Sequence, residues 1–198
     1  MVVYGDIQSG NCFKVKLLLS LLDIEHEWRV VDVVAKETQT KEFLALSPKG
    51  KIPIVVLDDG KVLSESNAIL GYFAEQSDLL PHDRFEKAKV YEWLFFEQYS
   101  HEPYIAVARF INKYLGMPRE REAEYESLQA GGHSALAIME KQLNETSFLV
   151  GSQLSIADLS LYAYTHVAHE GGFDLSQYPA VLGWIERIQT LPNYIGME

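Results

Sequence analysis

The stretch SGNCFKV, residues 9–15, sets a small polar triplet, Ser9-Gly10-Asn11, between two patterns of different period. Before it, Val2, Val3 and Tyr4 make the short apolar run of a buried strand; after it, Val15, Leu18, Leu19 and Leu22 recur at helical spacing. The chain therefore opens with a strand, a tight turn and a helix. Ser and Asn are side chains that cap helix N-termini, and Gly10 lets a backbone or ligand come close. A helix head also carries unpaired N–H groups and the positive end of the dipole, so it can receive an anion. The triplet has two readings, helix cap and anion contact.

Working outward, residues 26–31 have the β-branched and aromatic content of a second strand, and residues 37–46 read as a short helix stopped by Pro48 and Gly50. IPIVVL (52–57), the turn Asp58-Asp59-Gly60 and KVLSES (61–66) form a hairpin with an Asp-Gly signal. A helix follows on Ala68, Ile69, Tyr72, Phe73 and Gln76. The order is β-α-β-α-β-β-α over residues 1–76. SDLLPHDR, residues 77–84, breaks the periodicity and reads as an interdomain linker. From residue 85 to 198 no strand pattern survives: a long helix runs to about Leu115 with a kink expected at Pro103, and another carries Leu128, Leu136, Met139 and Leu143 on one face. Leu154-Ser155-Ile156-Ala157-Asp158-Leu159 is a capping box with a hydrophobic staple, and a last helix runs from Ala180 to about Leu191. An α/β domain joined to an all-α domain follows.

At 198 residues and 47% apolar, the chain can bury real cores. Seventeen basic against 28 acidic residues leave a net charge of −11, which opposes nucleic acid and anionic membranes alike. One cysteine makes no internal disulfide, and MVVYGDIQ has neither the basic nor the apolar segment of a signal peptide, so a reducing, cytoplasmic setting is expected. No metal-ligand spacing, phosphate-binding glycine loop or serine-hydrolase elbow occurs in the sequence.

Taken together, SGNCFKV, SPKGKIP, LSESNAI and SIADL, in this order and spacing, resemble the cytosolic glutathione transferase family over nearly the whole chain. In detail they are similar to bacterial members and the serine-type classes, with Ser or Thr and often Asn in the first turn. The resemblance implies a thioredoxin-like N-terminal domain that binds glutathione as co-substrate, an all-helical C-terminal domain that holds a small electrophile, a homodimer, and a role in detoxification.

Glutathione carries two carboxylates, an ammonium and a thiol, and each asks for a partner. Ser66 heads the helix after the hairpin, where its hydroxyl and the N–H groups behind it suit the γ-glutamyl carboxylate, or simply cap the helix. Glu65 can pair with the ammonium. The resemblance implies a cis Ile52-Pro53 bond that exposes the Ile52 backbone to the cysteinyl unit as a one-residue strand addition. Lys51 stands ready for the glycine carboxylate, with Lys36 a competitor; Thr38 falls where related bacterial proteins carry a glutamine ligand.

A thiol of pKa ~8.5 needs ~2.7 kcal/mol of anion stabilisation to drop two units. One hydrogen bond to a charged group supplies roughly 1.5 to 3 kcal/mol and a helix head about 0.3 to 1. Ser9 and Asn11 are thus each sufficient as thiolate donors. Tyr4, at the end of the first strand, is the other candidate, while Cys12 reads as a small core residue. For the electrophile pocket the nominees are Phe13 with His101, Tyr104 and Ala108, the last three sharing one helical face. The expected reaction is thiolate attack on an electrophile. Glutathione-dependent disulfide or peroxide reduction uses the same thiolate and is favoured if Asn11 rather than Ser9 contacts it. A noncatalytic adaptor of the same fold is the third reading, against which Ser9, Glu65 and Ser66 stand. The aromatic run Trp93-Leu94-Phe95-Phe96 is more apolar than one core face needs, as in a dimer.

Overall fold

The computed structural model describes residues 1–197, which form two compact units. The first is Met1–Ser77 together with the segment that begins at Pro192; the second is Asp78–Leu191.

In the first unit, β1 (Val2–Gly5) leads into α1 (Gly10–Leu21), then β2 (Glu27–Val30), α2 (Lys41–Leu46), β3 (Ile54–Val56), β4 (Val62–Ser64) and α3 (Ser66–Ala74). The sheet order is β2-β1-β3-β4, with β1 parallel to β2 and the β1–β3 and β3–β4 pairs antiparallel. This is a thioredoxin-like sheet. Side chains alternate across it. Val3 and Val55 pack with Val15 and Leu19 of α1 and Ile69 of α3, whereas Tyr4 and Ile54 face the other way, toward Val31 and Phe43. The hairpin turns at Gly60, whose φ of 82° suits a residue without Cβ. The helix expected over residues 37–46 is broken. A 3₁₀ turn, Glu37–Gln39, ends at Thr40, whose extended backbone (φ −68°, ψ 153°) lets its Oγ1 accept the Phe43 N–H at 3.3 Å and start α2 afresh.

The second unit is helical: α4 (Arg84–Phe96), α5 (Glu102–Arg109), α6 (Glu122–Leu143), α7 (Ile156–Thr165) and α8 (Pro179–Gln189), with short 3₁₀ turns. Asp83 caps α4, accepting from the Phe85 and Glu86 N–H groups at 2.9 Å. The kink expected at Pro103 takes another form. A π-helical turn, Glu97–His101, precedes α5, and Pro103 lies in the first turn of α5, where a missing N–H costs little. A second π turn, Phe110–Tyr114, follows α5. The capping box at Ser155 and Asp158 is present, and Asp158 does more than close it. Its Oδ1 also accepts from Leu149 N–H at 2.8 Å and from Trp184 Nε1 of α8 at 3.0 Å, tying loop, α7 and α8 together. Among the described residues no helix is long and apolar enough to cross a membrane.

The unit boundaries depart from the sequence reading at both ends. Residues 78–84 are not a free linker: Leu80 is buried and the Leu79 carbonyl accepts the Ile156 N–H at 2.9 Å, so this stretch is built into the helical unit. The segment after α8 returns to the first unit, where Ser20 Oγ donates to the Asn193 carbonyl at 2.8 Å.

Candidate functional site

The heads of α1 and α3 meet in the first unit. Ser9 is the N-cap of α1, in an extended conformation (φ −76°, ψ 123°), and its Oγ accepts the Cys12 N–H at 3.4 Å. Asn11, in the first turn, accepts at Oδ1 the hydroxyl proton of Ser66, 3.1 Å away. That bond fixes the direction of both groups. It leaves the Asn11 amide nitrogen as the donating end of that side chain and commits the Ser66 hydroxyl proton to Asn11. Ser66 is buried at the head of α3. Glu65 before it has φ 70°, a left-handed value that a residue with Cβ adopts only when its surroundings hold it there. Its carboxylate is half-exposed and accepts from Lys49 Nζ at 2.6 Å.

The third wall is the turn into β3. The Ile52-Pro53 bond is cis and Pro53 is buried. Ladder pairing of β3 starts at Ile54, so the Ile52 backbone lies outside it. Lys51 is exposed beside it. Across the loop, Gln39 Nε2 donates to the Gly50 carbonyl at 3.3 Å and to Thr38 Oγ1 at 3.2 Å. Thr38 is buried and turned inward, so Gln39 ties this segment to the lysine-bearing loop, while Lys36 is exposed in a left-handed conformation.

Two other candidates are resolved by geometry. Tyr4 lies on the face of the sheet opposite α1 and α3, its hydroxyl accepting from Arg29 Nη1 at 2.9 Å and its ring edge-on to Phe43. It borders a cavity of about 360 Å³ with Val31, Phe43 and Leu46, on the face away from the two helix heads. Cys12 is fully buried, and burial pushes its thiol up to about 12 against the smaller pull of its Ser9 hydrogen bond. A thiol so held supplies almost no thiolate at neutral pH.

The residues nominated for the electrophile are placed less favourably. Phe13 is buried in α1. In the second unit, His101 has no exposed surface and bonds Thr165 across 2.9 Å. Thr165 Oγ1 gives its own proton to the Leu161 carbonyl at 2.7 Å, so His101 Nε2 is the donor. Ala108 is buried too. Tyr104 alone of the three keeps exposed surface, its ring lying on Gly131 of α6. The shared face of residues 101, 104 and 108 thus turns largely inward, and the correction to the expected lining is that His101 and Ala108 pack rather than present.

Two residues near the helix heads escaped the sequence reading. Lys49 stands next to Glu65, but nothing in SPKGKIP ranks it above Lys51. Lys14 is fully buried and donates from Nζ to Asn67 Oδ1 at 3.2 Å; a lysine between buried Phe13 and Val15 was the available signal.

The family model described as Glutathione S-transferase, N-terminal domain, matches residues 8–76, and that of the Glutathione S-transferase, C-terminal domain, matches residues 93–192. The chain belongs to the glutathione S-transferase family. Within it, a glutathione S-transferase of Pseudomonas fluorescens Pf-5 superposes with a TM-score of 0.97 at 55% identity, covering 99% of this chain and 98% of that one. A maleylacetoacetate isomerase of Methylobacterium extorquens AM1, solved with bound malonate and GSH, superposes with a TM-score of 0.83 at 28% identity, covering 98% and 94%. The Escherichia coli K12 protein named disulfide-bond oxidoreductase YfcG is 33% identical over 186 residues, covering 89% of this chain and 86% of its own. Glutathione S-transferase relatives thus include proteins named for three different reactions.

Proposed function

We propose that the chain is a glutathione transferase that conjugates the glutathione thiolate to a small electrophile. The carrying observation is the junction of two helix heads, closed by the Asn11–Ser66 bond, with Glu65 held at positive φ beside it. In this reading the γ-glutamyl carboxylate meets the backbone N–H groups at the head of α3, beginning with that of Ser66, and the ammonium meets Glu65. The cysteinyl backbone pairs with Ile52 beside Pro53, and Lys51 takes the glycine carboxylate. Sulfur lies at the head of α1, where Ser9 or the Asn11 amide donates to it. The thiol proton leaves to solvent, sulfur bonds to the electrophilic carbon, and the electrophile expels its leaving group or takes a proton at its double bond. Tyr104 is the nominated contact for the electrophile. The Ser and Asn of the first turn support the bacterial serine/asparagine-type subclass, and a cytoplasmic detoxification role fits the chemistry.

Glutathione-dependent disulfide reduction is the second reading, and one observation favours it. The relative named disulfide-bond oxidoreductase supports the same reading. A homodimer is supported by aromatic surface on the second unit. Phe95 is 65% and Tyr99 78% exposed, near a groove of about 530 Å³ where Trp93, Phe96 and Ile138 alternate with Lys89, Glu92 and Lys141. Sedimentation at micromolar concentration giving only monomer would count against it.

Calorimetric titration with glutathione tests the site. Binding with a stoichiometry of one per chain, and an ultraviolet thiolate band at neutral pH, is the expected result. Absence of binding, with flow-through on immobilised glutathione, would leave the noncatalytic adaptor as the better reading. Turnover of a model electrophile against turnover of a glutathione-mixed disulfide then separates the two enzymatic readings.

A further inference from the structure

Lys14 occupies an unusual place for an ammonium. It has no exposed surface, and taking such a charge out of water costs several kcal/mol unless partners hold it. A chain that needed only volume here would use Leu or Met. Instead Nζ donates to Asn67 Oδ1 at 3.2 Å, and Asn67 is the second residue of α3, next to Ser66. Three residues earlier on α1, Asn11 accepts from Ser66 Oγ at 3.1 Å. Positions 11 and 14 are i and i+3 on one face of α1, and 66 and 67 are consecutive in the first turn of α3. Two bonds therefore pin one helix head to the other, one of them made by a buried charge.

We propose that Lys14 is a positioning residue of the glutathione site, its ammonium holding the first turn of α3, through Asn67, at a fixed distance from the first turn of α1. The inference rests on the glutathione reading above. The turn that takes the γ-glutamyl carboxylate and the turn that takes sulfur belong to different helices, and a ligand spanning both needs their spacing set before it arrives. An end turn held only by its own helix frays, whereas a charge-assisted bond from a neighbouring helix keeps its N–H groups aimed. Cys12, raised chiefly by burial, is drawn down by its Ser9 hydrogen bond more than by Lys14. Asp6 and Cys12 at the β1–α1 junction and Glu65 before α3, paired with Lys49, are titratable groups flanking these two turns.

The test uses two ligands and two variants of the full chain. Glutathione and S-methylglutathione, which lacks an ionisable thiol, are titrated calorimetrically into wild type, Lys14→Met and Asn67→Ala. Because the tie acts on the α3 turn that both ligands share, each variant should weaken both ligands by roughly tenfold, the loss of one hydrogen bond to a charged group. The ratio of the two affinities should stay at its wild-type value, as should the electrophile KM. A lowered melting temperature with unchanged affinities would make Lys14 purely structural and overturn the proposal. A loss confined to glutathione would overturn it as well, placing Lys14 on the sulfur. Should Lys14→Met fail to fold, Asn67→Ala decides alone, since Asn67 is partly exposed. Wild type that binds neither ligand refutes the glutathione reading itself, a result separate from variants that bind like wild type.

Discussion

Lys49 Nζ lies 2.6 Å from Glu65 Oε1, so the carboxylate at the head of α3 already holds a cation before any ligand ammonium arrives. On the proposed reading, a glutathione ammonium shares or competes for this carboxylate with a tethered lysine. Both side chains are more than half exposed, and such pairs are worth about 0 to 1 kcal/mol. Lys49→Met should therefore lower the glutathione KM by no more than about fivefold. Glu65→Gln, which removes the ammonium's partner, should raise it roughly tenfold or more while leaving the electrophile KM in place. Equal KM values for Glu65→Gln and wild type would refute the γ-glutamyl assignment.

At the head of α1, the cap and the joint divide the two donors. Asn11→Ala and Ser9→Ala should each raise the apparent thiol pKa of bound glutathione, since Ser9 Oγ accepts the Cys12 N–H and still has its own proton to give. The double variant should titrate close to free glutathione. Tyr4→Phe should leave the titration unmoved, since Tyr4 faces the opposite side of the sheet. The ultraviolet thiolate band followed against pH reads all four proteins. A Tyr4→Phe protein that loses the band would reverse the assignment.

Asp158 accepts four hydrogen bonds: from Leu149 N, Trp184 Nε1, Ser155 N and Ser155 Oγ. Burial pushes its carboxyl up, while these donors pull the other way. Asp158→Asn keeps the volume but aims an amide N–H₂ at groups that are themselves donors. It should cost about 3 kcal/mol or more in urea unfolding, as leaving buried donors unsatisfied does. A loss below about 1 kcal/mol would mean the network is not held as described.

Two helical glycines should respond with opposite signs to alanine. A Cβ on Gly132 of α6 would sit 2.2 Å and 2.4 Å from ring carbons of buried Phe173; a Cβ on Gly183 of α8 meets nothing within 4 Å. Helix propensity favours alanine by about 1 kcal/mol at both. At Gly132 overpacking of about 1 to 3 kcal/mol outweighs it, so Gly132→Ala should lower the melting temperature. Gly183→Ala should hold or raise it. Stabilisation by both would show that the Phe173 ring can yield.

His166 stacks on Tyr162, and burial holds its imidazole down to about 4. An unfolded histidine titrates near 6.5, so below that pH the unfolded chain takes a proton that the folded chain refuses. The stability this ring contributes is present above about 6.5 and is lost as pH falls through about 4. Between pH 7 and 5 the wild type should lose about 2 kcal/mol that His166→Asn does not lose. Parallel pH profiles for the two proteins in chemical denaturation would remove His166 from the acid response.

What the sequence made legible is what is encoded at short range. The strand-turn-helix at Ser9, the Asp-Gly hairpin and the capping box at Ser155 each depend on residues within a few positions of one another. The split of residues 37–46 hung on whether Thr40 capped a new helix, which a helical pattern alone does not announce. Near Pro103 the irregularity lies upstream, in a π turn that ends at His101, and the proline itself sits in the first turn of α5. Glu65 and Ser66 were nominated by chemical need and lie at the head of α3, whereas Lys14 and Lys49 make their contacts with residues 53 and 16 positions away in the chain. Tyr4 illustrates the same limit. Its strand was read correctly, yet the face it occupies is set by where α1, α2 and α3 pack.

The bond from Ser20 to Asn193 joins α1 to a stretch that follows the whole helical unit in the chain. On the ribosome, residues are released in order, so the first unit waits through the synthesis of residues 78–191 before its final piece exists. For that interval the nascent first unit lacks a partner for Ser20, and chaperones or proteases meet it in that form. A chain stalled after residue 191 has every helical residue made, yet its earliest-made unit is unfinished.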